Sequence, residues 1–161
     1  MADTGLYRPM WSAEILEELD RNLRRLGGTE AQVAHRLSQM TTSFPDAEVV
    51  GYEWLIEAMT NDPKDRHVLA AAVRGGAEVL VTENLKDFPA SSLAQYDIVA
   101  IHQDEFLLDQ LDLSPAVVFA GLRRQVSRYR REPRTIDDLL KVLAGPGQGC
   151  QSFAKACRGL L

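Results

Sequence analysis

Four side chains suited to metal binding or acid–base chemistry lie near the ends of predicted secondary-structure elements. Asp65 is in the first turn of a predicted helix, Asn84 and Asp87 follow a predicted strand, and Glu18 lies about one and a half turns into an earlier helix. In an open parallel sheet, ligands gather at the carboxyl ends of the strands, where the crossover helices also begin. We therefore expect these four side chains to lie at one edge of a sheet.

Helical phase indicates how two of the acids are oriented. Asp65 lies above Leu69 on the face of its helix that is turned toward the core, and Glu18 borders an apolar arc while Glu17 points the other way. A carboxylate beside a core face is costly unless something compensates it, and bound Mg²⁺ or Mn²⁺ would do so. Such an ion can activate water and neutralise the charge that builds on a phosphodiester.

Each residue also has a purely structural interpretation. Asp65 could complement the helix dipole, since acids are common in first turns. Glu18 could be a solvated helix residue, and Asn84 and Asp87 are typical loop residues. Their shared position at one predicted edge is the observation that favours a site.

The elements that would position these residues alternate between helix and strand. Asp62 and Pro63 predict an N-cap and first turn for a helix that ends at Gly75, and a buried strand over 78–82 follows. A short helix near 91–95 and a strand over 98–101 complete the series. The order strand, helix, strand, helix, strand, which begins with a strand candidate at 48–50, predicts a parallel sheet with crossover helices.

The flanking regions are predicted mostly helical. The other predicted elements are strand candidates at 6–10 and 48–50, helices from Ser12 to about Leu26 and from Thr29 to near Thr42, helices opened by Ser114 and Thr135, and a terminal segment after 145–147. No glycine-rich phosphate loop of the usual form is present. This disfavours an interpretation of the chain as a nucleotide-binding or phosphate-binding α/β domain.

Length and composition indicate an ordinary globular protein. The 161 residues fit a single domain, for which we expect an α/β core over 1–113 and C-terminal helices over 114–161. No apolar run approaches a membrane span and the N-terminus does not resemble a signal peptide, so we expect a cytoplasmic protein without a membrane partner. Two cysteines, Cys150 and Cys157, have no metal-ligand spacing and are expected to be free thiols.

The charge is unevenly distributed along the chain. From Ser114 onward there are nine Lys and Arg against three acids, a balance of +6, so the rest must carry −11 to reach the total of −5. The arginines that could contact RNA are Arg123, Arg124, Arg128, Arg130 and Arg131, with Tyr129 available for stacking. A solvated helix face or a surface for an acidic partner is an equally good interpretation.

Two stretches together resemble the second half of bacterial PIN-domain proteins. They are Asp62 to Ala72 and Val79 to Pro89, and the segments Gly5 to Pro9, Trp11 to Ser12, Ile15 to Glu18 and Asp104 to Leu108 are similar as well. The resemblance runs from about Gly5 to at least Leu140. Each motif alone is weak, but the pair at this spacing is fairly specific.

The resemblance implies a three-layer α/β/α fold with a parallel sheet and an acidic cluster that binds Mg²⁺ or Mn²⁺. It implies cleavage of single-stranded RNA by metal-activated water, a toxin held inactive by a small antitoxin, and a homodimer. By position, Glu18 matches the family's helix acid and Asp65 its central acid. Asn84 falls where many members have the third-strand acid, and Asp87 is the nearby acid that supports or replaces it.

The chain departs from the family at its start. PIN domains open with an apolar strand that ends in an aspartate, and then a helix, before the segment that matches Gly5. We therefore expect an N-terminally truncated fold in which the first family aspartate is absent. Two hypotheses follow: a metal-dependent toxin ribonuclease in shortened form, and a catalytically inactive PIN-like binding module that pairs with an antitoxin or a full-length relative.

Overall fold

The computed structural model describes all residues from 1 to 161. Its α-helices and strands are α1 (Ala13–Arg25), α2 (Glu30–Ser43), α3 (Arg66–Gly75), β1 (Val79–Val81), α4 (Ala90–Leu93), β2 (Val99–Ile101), α5 (Gln103–Leu113), α6 (Pro115–Arg128), α7 (Ile136–Leu143) and α8 (Gln151–Gly159). Short 3₁₀ turns stand at Ala2–Thr4, Glu53–Ala58, Pro63–Asp65, Leu85–Asp87 and Ala94–Tyr96. No helix is both long enough and apolar enough to cross a membrane.

The two strands form a parallel sheet, as the alternation of elements predicts. The Val99 amide donates to the Glu78 carbonyl at 3.0 Å, and the Thr82 amide donates to the Ile101 carbonyl at 3.0 Å. The connection from β1 to β2 contains α4 and two 3₁₀ turns, which is long enough for the crossover that parallel strands require. The fold class is α/β, with a helical C-terminal third.

The chain divides into two compact units. We call residues 8–80 and 84–100 the α/β unit, and residues 1–7, 81–83 and 101–161 the helical unit. The core of the α/β unit contains Tyr52, Met59, Leu69, Ala70, Ala71, Leu80, Phe88, Leu93 and Ile98. The core of the helical unit contains Leu111, Val118, Phe119, Leu122, Val126, Leu139, Leu140, Phe153, Ala154 and Cys157.

Helix starts follow the local capping signals. The Ser12 hydroxyl accepts a hydrogen bond from the Ile15 amide at 3.2 Å and caps α1. Thr29 and Gln32 form a reciprocal capping box at the start of α2, and the Thr135 hydroxyl accepts from the Asp138 amide at the start of α7. These hydrogen bonds satisfy amides that the first helical turn would leave without partners, so the predicted starts are confirmed.

The strands predicted at 6–10 and 48–50 are wrong. Instead, the structure has an isolated parallel bridge between Trp11 and Glu48. The Val49 amide donates to the Trp11 carbonyl at 2.8 Å, and the Trp11 amide donates to the Ala47 carbonyl at 3.0 Å. Extension ends there because Ser12 immediately caps a helix, which leaves too few residues for a ladder.

The expected burial of β1 is also wrong for two of its three residues. Leu80 is 7% exposed, whereas Val79 and Val81 are 38% and 43% exposed. Alternate side chains of a strand point to opposite faces, so only one face of this sheet is packed. Leu26, near which the first helix is predicted to end, is exposed because it follows the last helical residue and precedes Gly27, whose φ of 90° ends the helix.

Candidate functional site

The turn before α3 fixes the position of Asp65. The Asp62 carboxylate accepts a hydrogen bond from the Lys64 amide at 3.1 Å, and the Asp65 amide donates to the Asp62 carbonyl at 3.0 Å. Pro63 supplies a preset φ at the first position of this 3₁₀ turn. Asp65 therefore stands at the N-cap position of α3, but its side chain makes no capping hydrogen bond and is left available.

The second turn brings Asp87 to the same place. The Asp62 amide donates to the Asp87 carbonyl at 3.1 Å, which ties the two turns together through the backbone. The Lys64 ammonium lies 2.7 Å from Asp87 Oδ2 and 3.8 Å from Asp65 Oδ2. The side-chain amide of Asn84 also donates to Asp87 Oδ2. Three of the four residues proposed from the sequence thus belong to one cluster.

The two carboxyl groups have opposite pKa shifts. Burial raises the pKa of Asp65, and the neighbouring Asp87 carboxylate adds to this effect while Lys64 opposes it. The hydrogen bond from Lys64 is the main reason that the pKa of Asp87 is lowered. Asp65 Oδ2 is buried and has no hydrogen-bond partner. Asp87 is therefore a fixed anion, and Asp65 is the carboxyl group that would gain most from a cation.

Glu18 lies against a histidine. Its Oε1 is 3.4 Å from His67 Nε2, and Glu14 Oε2 is 3.6 Å from His67 Nδ1 on the other side of the ring. The His67 side chain is 6% exposed, and neither ring nitrogen forms a hydrogen bond of normal geometry. Glu18 also lies 3.8 Å from Arg21. His67 follows Asp65 by two residues in the chain, so Glu18 contacts the first turn of the helix that begins after Asp65. Glu18 itself is not one of the residues gathered around Lys64.

Sequence reasoning missed the parts played by Lys64, His67 and Glu14. A lysine directly before Asp65 gave no signal of which acids it would contact. The spacing of Glu14 and Glu18 places both on one face of α1, as residues four apart always are. That spacing could have suggested a shared basic partner, although it could not have identified His67.

A divalent cation fits the carboxylate pair. No group of three or more His, Cys, Asp or Glu side chains is arranged to hold a metal ion. Mg²⁺ does not need such a cage, because it commonly keeps several waters and takes one or two carboxylates. Asp65 Oδ2 has no hydrogen-bond partner, and the Lys64 ammonium already places a positive charge near both carboxylates. Asp65 and Asp87 are thus the residues suited to such an ion.

The arginine run is exposed but is not one helical face. Arg123, Arg124 and Arg128 lie in α6, while Arg130 and Arg131 follow its last residue. Val126 and Leu122 hold α6 in the core, which turns the arginines outward. The guanidinium of Arg124 already forms an ion pair with Asp3.

Comparison with known proteins assigns the family. A profile described as "PIN domain" matches residues 1–86, which is more than half of the chain. The chain belongs to the PIN-domain family. A second profile, "VapC50 C-terminal domain", matches residues 103–159.

A curated relative extends this similarity. The chain is 48% identical over 121 residues to a Mycobacterium tuberculosis (strain ATCC 25618 / H37Rv) protein named "Putative ribonuclease VapC50", covering 75% of this chain and 68% of that protein. No solved structure matches the chain significantly. Membership in the PIN family and the α/β fold are thus confirmed, and the matched profile includes the segment that carries Glu18 and Asp65.

Proposed function

We propose that this PIN-domain protein is a metal-dependent ribonuclease, the toxin component of a toxin–antitoxin pair, which hydrolyses single-stranded RNA. The observation that carries the proposal is the convergence of Asp65 and Asp87 around one positive charge, with a buried oxygen of Asp65 that has no hydrogen-bond partner. The name of the curated relative, a ribonuclease, supports the same activity.

Each of the proposed site residues would have its own role in catalysis. Bound Mg²⁺ or Mn²⁺ would supply an activated water and neutralise charge on the phosphodiester. Asp65 and Asp87 would hold the ion, Asn84 would fix the orientation of Asp87 through its amide, and Glu18 would complete the acidic set from α1. The exposed side chains of Arg123, Arg124, Arg128, Arg130 and Arg131 would contact the phosphates of the RNA.

Protein partners follow from the same proposal. As a toxin component, the chain would bind a small antitoxin protein and form a homodimer. An acidic antitoxin segment could occupy the exposed arginines in place of RNA, since both ligands present anionic groups to guanidinium.

Metal removal tests the activity directly. The protein is expected to cleave single-stranded RNA in Mn²⁺ or Mg²⁺ and to lose cleavage in excess EDTA, because the carboxylate pair alone cannot supply an activated water. Cleavage would be followed on a fluorescent oligonucleotide, and adding back Mn²⁺ should restore it. Equal cleavage with and without EDTA would contradict the metal-dependent mechanism.

The contact between Glu18 and His67 predicts a difference between two adjacent glutamates. Glu18→Gln is expected to lower RNA cleavage by about tenfold or more, because it removes the charge of the glutamate that would complete the acidic set around the ion. Glu17→Gln is the matched control, because both glutamates lie within 4 Å of Arg21 but only Glu18 contacts His67. Equal rates for the two variants would remove Glu18 from the proposed site.

An inactive binding module is the second candidate function. The observation that favours it is the small number of free carboxylates: Asn84 is neutral, and Asp87 is already paired with Lys64. This alternative predicts antitoxin binding without Mn²⁺ affinity and without RNA cleavage at any metal concentration. Calorimetry with Mn²⁺ separates the two functions, because only the ribonuclease requires the ion.

A further inference from the structure

The Lys64 ammonium lies close to both carboxylates that are proposed to hold the metal ion. It lies 2.7 Å from Asp87 Oδ2 and 3.8 Å from Asp65 Oδ2, so it contacts both proposed ligands. The charge of Asp62 also acts on it. The side chain is 62% exposed, and its ammonium can therefore leave the carboxylates for water without unfolding any element.

The contact between Lys64 and Asp87 depends on the fold and not on closeness in the sequence. Lys64 is the neighbour of Asp65 in sequence, yet its shorter contact is with Asp87, 23 residues away. The backbone hydrogen bond from Asp62 to Asp87 holds the two turns together beneath the side chains. The lysine is thus positioned over the carboxylate pair by two turns of the α/β unit.

We propose that Lys64 is a tethered cation that holds the Asp65 and Asp87 carboxylates in the absence of metal and competes with the divalent ion for them. The inference rests on the proposed function. Asp87 Oδ2 cannot accept a hydrogen bond from the ammonium and bind the ion along the same direction. A bound divalent ion would also repel an ammonium that remained within a few ångströms.

Competition predicts that replacing Lys64 changes the affinity for the ion in the opposite direction to replacing an acidic residue of the site. Removing the charge of Lys64 should strengthen binding of the ion, whereas removing a ligand should weaken it. A lysine that only supported the fold would give weaker or unchanged binding when replaced. The sign of the change in affinity therefore separates competition from a structural role.

The test is calorimetric titration with Mn²⁺ of the full chain and of four variants. Lys64→Gln is expected to bind on the order of tenfold more tightly than the wild type, because the side chain no longer opposes the ion. Lys64→Arg keeps the charge and should retain the wild-type affinity within about twofold. Lys86→Gln is the matched control, since Lys86 is exposed beside Asp87 and acts on it through its charge without a hydrogen bond.

Asp65→Asn completes the series, because it separates failure of the inference about Lys64 from failure of the proposed function. Wild-type binding that is lost in Asp65→Asn but unchanged in Lys64→Gln would overturn the inference and leave the proposed function standing. The same would follow if Lys86→Gln strengthened binding as much as Lys64→Gln, because the effect would then be net charge alone. Absence of binding in the wild type and in Lys64→Gln alike would overturn both. Thermal melting of each variant confirms that the titrated protein is folded.

Discussion

Replacing Asp65 with asparagine is expected to abolish detectable Mn²⁺ binding and to lower RNA cleavage by at least about a hundredfold, since loss of even an indirect partner of a metal ligand costs up to that much. Asparagine keeps the size of the side chain and one carbonyl oxygen but removes the charge. Because the second carboxylate is already paired with Lys64, little remains to hold the ion.

The same substitution should not destabilise the protein at neutral pH. Burial raises the pKa of Asp65 in the folded state above its ordinary value of 3.8. A raised carboxyl pKa means that folding is favoured while the group is protonated, and that stability falls as the pH rises through the interval between the unfolded and folded values. Asparagine removes this penalty, so the melting temperature at pH 7 should be equal or higher.

The measurements are Mn²⁺ calorimetry, cleavage of a labelled oligonucleotide and thermal melting on the same preparations. Asp46→Asn is the matched control, because Asp46 is an exposed acid of the α/β unit outside the cluster. The proposed role of Asp65 would be wrong if both aspartate variants cleaved RNA at the wild-type rate. It would also be undermined if activity fell only in proportion to a loss of folded protein.

The contribution of Asp87 to stability should depend on pH in the opposite direction to that of Asp65. Its pKa is lowered because Lys64 donates a hydrogen bond to the ionised form. The stability that this contact provides is present above the unfolded pKa and is lost as the pH falls through the folded value. The two carboxyl groups of one cluster thus have opposite pKa shifts, because the hydrogen bond from Lys64 dominates at Asp87 and burial dominates at Asp65. Residue type alone does not contain this difference.

The parts of the fold that depend on nearby residues were predictable. The caps at Ser12, Thr29 and Thr135 form as expected, since each is decided by atoms within three residues. The meeting of Asp65 and Asp87 was expected from the order of elements, because strand ends and helix starts gather at one edge of a parallel sheet. The same expectation was too broad, since it also placed Glu18 there, whereas Glu18 lies against His67.

Contacts between distant segments were not predictable in the same way. The approach of His67 to Glu14 and Glu18 depends on how α1 lies against α3, which no local pattern specifies. The exposure of Val79 depends on how many layers cover the sheet, and an apolar strand looks the same in either case. The role of each acid in the site remains a prediction for the experiments described above.

Leu69 is the largest fully buried side chain of α3, the helix that begins after Asp65 and contains His67. Leu69→Ala is expected to lower the free energy of unfolding by about 3–5 kcal/mol. Leu69 is 0% exposed and packs in the core of the α/β unit with Met59, Ala70 and Phe88. Removing its branched end deletes contacts and leaves a cavity that the rigid neighbours fill only partly.

Leu26→Ala tests whether this loss comes from burial. Leu26 is 80% exposed, so the same substitution there should change stability by no more than about 0.5 kcal/mol. Urea denaturation followed by circular dichroism would give both values. Similar midpoints for the two variants would show that Leu69 does not hold α3 in place. A large loss in Leu69→Ala alone would show that burial of Leu69 stabilises the α/β unit, which contains the carboxylate cluster.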